Sequence, residues 1–218
     1  MTLSPEKKTD CGKLLRHRPG EFFHTGEEAE GFATLQEEAF PVSSKGKERK
    51  TAMMNGINTT LCYLRRGGET LLLHRVKKEG DMNRDKWIGV GGKFLPGESP
   101  EDCLRREVME ETGLTLHGWA YRGIVTFVSD QYGTEYMHLF ESWDFSGEVR
   151  DCDEGVLEWL PWAQLPKLPI WEGDKLFLRL LDSRRGFFSL KLRYEGERLA
   201  EAALDGVPLR KEGDEWLL

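Results

Sequence analysis

Between Ser99 and Gly113 the sequence marks both ends of one helix and loads one of its faces with acid. Ser99 is an N-cap residue, Pro100 suits the first helical position, Asp102 stands where a capping box places its acid, and Gly113 supplies a left-handed stop. A helix over 100–112 follows. At about 100° per residue, Glu107, Glu110 and Glu111 stand at i, i+3 and i+4 and share an arc of about 100°. Like charges at that spacing repel by about 0.2–0.5 kcal/mol per pair, and two of the three lie at the negative end of the helix dipole. Stability alone gives no reason for such a face, whereas a divalent cation reverses the sign of the interaction. An all-oxygen donor set suits Mg²⁺ or Mn²⁺ better than zinc. The competing interpretation is a solvated acidic face.

The surroundings of the helix are rich in strand signals. Runs at 59–64, 70–76, 123–128, 137–143, 156–159 and 187–194 favour strands, and Gly67-Gly68 between the first two predicts an antiparallel hairpin. Alternation in the last run, Phe188, Leu190, Leu192 and Tyr194 against Ser189, Lys191 and Arg193, is that of a half-buried strand expected to close the main fold. A second helix is expected over 175–183, where Leu176, Phe177, Leu180 and Leu181 recur at helical spacing. Strands interrupted by two helices imply an α+β sandwich with a mixed sheet. Residues 1–52 are polar, unpatterned and end in a basic run, an expected disordered extension. Met53-Met54, where patterning begins, is an expected start of translation. The main domain is then 53–196, and 197–218 form an extension with a possible hairpin at Asp205-Gly206.

Several function classes fall away. A formal net charge of −7 disfavours binding of polymeric nucleic acid, and a polyanionic ligand would need a metal. The four cysteines show no CxxC pair, which leaves reduced thiols as the expectation. No apolar run reaches the ~20 residues of a membrane span, and no signal-peptide stretch opens the chain, so no membrane partner and a cytoplasmic location are expected.

Reading outward from the acidic face, Gly92, Glu98, Arg106-Glu107, Glu110-Glu111 and Gly113-Leu114 resemble the Nudix box, G-x5-E-x7-R-E-U-x-E-E-x-G-U, at every specified position. Seven fixed residues at about 7% usage each would coincide about once in a million over roughly two hundred starts. The resemblance implies a Nudix-type α/β/α sandwich with a mixed central sheet and a loop-helix-loop catalytic box. It further implies that Glu107, Glu110 and Glu111 hold Mg²⁺, with Mn²⁺ as a substitute, against a substrate diphosphate. It places the carbonyl of Gly92 at the metal, makes Glu98 and Arg106 an ion pair tying loop to helix, and lets Lys93 contact a phosphate. One glutamate is the expected base, and the sequence leaves open which. Nudix relatives often add an acid from outside the box, and Asp153 or Glu154 is placed for it, Glu154 being the candidate taken forward.

The similarity extends over 59–196. Trp87-Ile-Gly-Val-Gly-Gly-Lys93, Tyr121–Phe127, Trp171-Glu-Gly-Asp174 and Phe187-Phe-Ser-Leu190 look like the branch that hydrolyses oxidised purine nucleoside triphosphates. In that branch the residue matching Trp171 stacks on the purine and that matching Asp174 bonds its edge; helix capping is the competing role for Asp174. Phe127 and Met137 either line the same pocket or pack in the core. Animal members carry Asn where Ile88 stands and a second Asp where Gly173 stands, a departure that bears on base preference. The expected activity is hydrolysis of a modified purine nucleoside triphosphate such as 8-oxo-dGTP to monophosphate and pyrophosphate. The alternatives are a Nudix pyrophosphatase of a nucleotide sugar, dinucleotide or capped RNA, and a non-catalytic nucleotide sensor. The expected partner is a small-molecule nucleotide, with monomer and homodimer equally open.

Overall fold

The Gly67-Gly68 pair turns β1 (Ile57–Arg66) into β2 (Glu69–His74), antiparallel from Leu64↔Leu71 to Arg66↔Glu69. Both glycines sit at positive φ, 60° and 88°, as a tight hairpin turn between twisted strands requires. The structure, a computed structural model, describes residues 56–77, 80–183 and 186–218. The polar leader 1–52 and the Met53-Met54 pair lie outside the described residues.

After β3 (Trp87–Ile88) comes α1 (Pro100–Thr112), then the long strands β4 (Thr115–Ser129) and β5 (Gly133–Ser146) and the shorter β6 (Val156–Pro161). A 3-10 turn, Trp162–Lys167, leads toward α2 (Asp174–Ser183) and β7 (Phe188–Glu195). Then follow β8 (Arg198–Leu204), β9 (Val207–Pro208), β10 (Lys211–Glu212) and β11 (Glu215–Trp216). The sheet order is β3-β2-β1-β5-β4-β7-β8-β9, with β6 also on β2 and β10–β11 a separate pair. β1 with β5 and β4 with β7 run parallel and the other pairs antiparallel, so the sheet is mixed. The strand expected to close the fold is interior: β8 adds to the outer edge of β7.

The period of two in the strands sorts the core onto two faces. Cys62, Leu64, Leu71 and Phe140 pack with Leu104 and Val108 of α1. Their chain neighbours Tyr63, Leu72 and Leu139 pack on the other side with Phe177, Leu180 and Leu181 of α2. One helix therefore covers each face, giving three layers. Leu104 and Val108 are both 0% exposed, and their burial is worth about 3–6 kcal/mol as an upper figure. That outweighs the few tenths lost per repelling glutamate pair, so α1 can carry its acids and still dock. Its ends are as the sequence indicates. Ser99 and Asp102 form a reciprocal capping box and Gly113 ends the helix at φ 75°.

Glu141, wholly buried on β5, meets Arg65 at 2.7 Å and also Arg122, whose Nη2 donates to the carbonyl of Leu181 at 3.2 Å. This charge cluster joins β1, β4 and β5 to the end of α2; losing one partner would strand a buried charge.

Candidate active site

The loop from Gly91 to Ser99 is shaped around two acids. Glu98 receives Arg106 as a two-pronged pair, Nε to Oε1 at 2.6 Å and Nη2 to Oε2 at 2.9 Å, and also accepts the Leu95 N–H at 2.7 Å. The Arg106 bonds, then the Leu95 bond, hold the Glu98 carboxyl down at about 2. Arg106 Nη2 also donates to the Lys93 carbonyl at 3.0 Å, so one guanidinium fastens the loop to α1.

The same guanidinium reaches the acidic face. Its Nη1 donates to Glu107 at 2.7 Å and to Glu110 at 3.1 Å. Glu111 is 8% exposed and accepts the Gly91 N–H at 3.0 Å. Burial is the main cause that pushes its carboxyl up to about 8; the neighbouring charges of Glu154 and Glu107 add to it, against the Gly91 bond and Arg75. Burial likewise raises Glu107, with Glu110 and Glu154 contributing and Arg106 opposing. Glu154 thus stands close enough to act on both, though it follows Glu111 by more than forty residues. It is ion-paired to Arg75, whose Nε donates to Asp81 at 2.6 Å. The Gly92 carbonyl, expected at the metal, accepts the Thr60 N–H at 2.8 Å, a bond that uses one of its two lone pairs, and lies beside the Cys103 thiol. Gly92 also supplies room. A Cβ there would come within 2.5 Å of the Glu107 carboxylate.

On the opposite face, Trp171, Phe127 and Tyr194 form an aromatic cluster, with ring centroids 6.0 Å apart for Trp171–Phe127 and 5.3 Å for Trp171–Tyr194. Trp171 is 6% exposed, its Nε1 donates to Asn83 at 2.8 Å, and Lys86 Nζ lies 4.4 Å from its ring centre. Met137 packs against the same cluster. Asp174 is the first residue of α2 rather than its cap, and burial pushes its carboxyl up to about 7, against a backbone hydrogen bond at Trp171 and the charge of Lys86. Lys93 is exposed and bridges Thr59, which puts it on this face. Gly173 has no space for an acid, since a Cβ would lie 2.5 Å from Leu192 Cδ1 and 2.7 Å from the Tyr194 hydroxyl. Elsewhere, a cavity of about 620 Å³ between β7, β8 and the C-terminal strands is lined by Lys191, Ala203, Leu209 and Trp216, and by no acid of α1.

A family model described as the NUDIX domain matches residues 54–181. The chain belongs to the Nudix family. A protein of Danio rerio named oxidized purine nucleoside triphosphate hydrolase is 32% identical over 152 residues, 68% of this chain and 94% of that protein. The GDP-mannose pyrophosphatase of Yersinia enterocolitica is 29% identical over 101 residues, 45% of this chain and 52% of that protein. The crystal structure of the MutT protein from Bacillus halodurans aligns with a TM-score of 0.62 and 26% identity, over 70% of this chain and 99% of that one. The chain is thus a Nudix hydrolase, a pyrophosphohydrolase of small nucleotide substrates, in a family that generally uses divalent metal ions.

The donor set of this Nudix helix fits such an ion: carboxylate oxygens only, mutually repelling, two of them raised by burial, with a cradle at Gly92 that a side chain would fill. Among the described residues no three His, Cys, Asp or Glu side chains form a closed cage, and Arg106 donates to both Glu107 and Glu110. Sequence reasoning overlooked Arg75, Asp81, Asn83 and Lys86, the connector that touches Glu154 at one end and Trp171 at the other. The signal was present, since a buried arginine just after an apolar strand needs acids. No helical or strand period flags it. No helix of the described residues is long and apolar enough to cross a membrane.

Proposed function

We propose that this Nudix hydrolase cleaves a modified purine nucleoside triphosphate such as 8-oxo-dGTP to the monophosphate and pyrophosphate, with Mg²⁺ as its ion. The observation that carries the reading is the pairing of a carboxylate helix with the aromatic cluster around Trp171 and Asp174, linked through Arg75 at Glu154 and through Asn83 and Lys86 at Trp171. The name of the Danio rerio relative, oxidized purine nucleoside triphosphate hydrolase, supports the same substrate class.

In this reading Glu107, Glu110 and Glu111 hold the ion, with Glu154 beside them. When bound, it neutralises phosphate charge and orients the attacking water. Arg106 and Glu98 keep the carboxylates in place. One of the glutamates takes the proton from the water as its oxygen bonds to phosphorus and pyrophosphate leaves. Lys93 contacts the substrate from the exposed rim. Trp171 offers its ring to the purine once Lys86 moves aside, Asp174 accepts from the base edge, and Phe127 and Met137 wall the pocket. Nucleotide-sugar hydrolysis is the second reading, favoured by the GDP-mannose pyrophosphatase match.

Steady-state kinetics with 8-oxo-dGTP, dGTP, ADP-ribose, GDP-mannose and a diadenosine polyphosphate separate the two. The expected outcome is a kcat/KM for 8-oxo-dGTP at least about tenfold above the others. Turnover confined to the sugar nucleotides would overturn the proposal.

A further inference from the structure

Glu135 is an acid set beside the aromatic cluster of Phe127 and Trp171. On β5 it stands opposite Phe127 of β4 and Ile57 of β1, and so shares the α2-side face with Met137 and Leu139. Thr59, itself 6% exposed, donates its hydroxyl to Glu135 Oε1 at 2.7 Å. The other oxygen has no hydrogen-bond partner among the described residues. Burial raises this carboxyl against the pull of Thr59 and Lys93, and its charge is one of the smaller causes that raise Asp174. Phe127, beside Glu135 in register, is in edge contact with Trp171, just ahead of Asp174. Two acids therefore flank the Phe127–Trp171 contact, Glu135 in register with Phe127 and Asp174 three residues beyond Trp171.

We propose that Glu135 is a specificity-determining residue: with Asp174 it accepts the N–H donors of a guanine-type edge and so selects that edge over bases that lack them. The inference rests on the base pocket of the proposed function. A guanine-type base presents its ring N–H and its exocyclic amino group side by side, matching two carboxyl acceptors. Hypoxanthine lacks the amino group, and adenine turns a ring lone pair to the same place, where it would oppose an acceptor. Thr59 aims the carboxyl and leaves one oxygen for the ligand.

The test is calorimetric titration of the full chain with dGMP and dIMP in the presence of Mg²⁺. Wild type should bind dGMP at least about tenfold more tightly than dIMP. Glu135→Gln keeps the volume but replaces an acceptor with a donor, and should bring the ratio to about two or less. Thr59→Val, which loosens the aim of the carboxyl, should lower it partway. Equal binding of both nucleotides by wild type, or an unchanged ratio in Glu135→Gln, overturns the proposal. If circular dichroism shows that Glu135→Gln does not fold, an unchanged ratio in Thr59→Val does so instead. Binding is read without turnover, so discrimination that survives while 8-oxo-dGTP is not hydrolysed would refute the proposed function and leave the role of Glu135 standing.

Discussion

The two faces of the sheet are built on opposite plans. On the α1 side the chemistry is local and charged: between Gly91 and Glu111 one arginine and one loop position the carboxylates through hydrogen bonds of 2.6–3.1 Å. On the α2 side it is dispersed and mostly aromatic, drawn from β1, the Arg75–Trp87 connector, β4, β5 and the start of α2. Charge on one side and shape on the other suggest separate tasks. The α1 face should govern the rate of bond breaking, whatever base the substrate carries, and the α2 face should govern which base is held.

The largest expected effect lies on the charged side. Glu107→Gln and Glu111→Gln should each lower kcat by about 10²-fold or more with the fold retained, and EDTA should abolish turnover, because donor charge is lost while volume is kept. Stopped assays together with melting curves measure both. Near-normal rates in both variants would remove the metal site from this helix.

A smaller effect of a different kind should follow on the aromatic side. Trp171→Phe should raise KM about fivefold or more for every purine substrate while kcat stays within about twofold, since indole stacking is worth about 1–3 kcal/mol and benzene offers less. Trp171→Ala is less informative, because emptying a buried site of this size costs about 3–5 kcal/mol of stability. A fall in kcat at constant KM would collapse the division between the faces.

The smallest expected effect is on stability. The Asp174 carboxyl is raised to about 7, mainly by burial, so the folded chain keeps a proton that the unfolded chain has already released. Its contribution is complete below the ordinary aspartate range and is lost as pH rises through about 7. Asp174→Asn should flatten the decline in stability across that window by at most about 1.4 kcal/mol per pH unit. Denaturant melts of both proteins at pH 5 and pH 7 measure it, and parallel declines would show that this carboxyl titrates normally.

The same contrast explains what could be read in the chain. α1, its capping box and the Glu98–Arg106 pair were legible because every partner lies within a few turns of sequence. The Gly67-Gly68 turn was legible because its backbone demands glycine. The first half of β4 was not, since register shifts between Leu116 and Gly123 break the period of two. Nor was β8, whose Arg-Leu-Ala-Glu-Ala-Ala-Leu composition favours a helix until pairing with β7 overrides it. Glu135 went unmarked because a lone acid in a strand looks solvated until its register with Phe127 is known. Asp174 looked like a cap because a helix does start there, but its carboxyl is drawn inward.

The interior position of β7 bears on where this chain can be cut. β7 lies parallel to β4 and sends Phe188, Leu190 and Leu192, each at most 1% exposed, into the α2-side core. A fragment ending with α2 would keep every acid of the Nudix box, yet it would leave the β4 edge open along its last seven residues and empty part of the core beneath the helix. Such an edge is a template for pairing with other chains. A truncated hydrolase of this kind would meet self-association before it lost any catalytic group, so a fragment that keeps the β4 edge covered must extend at least through β7.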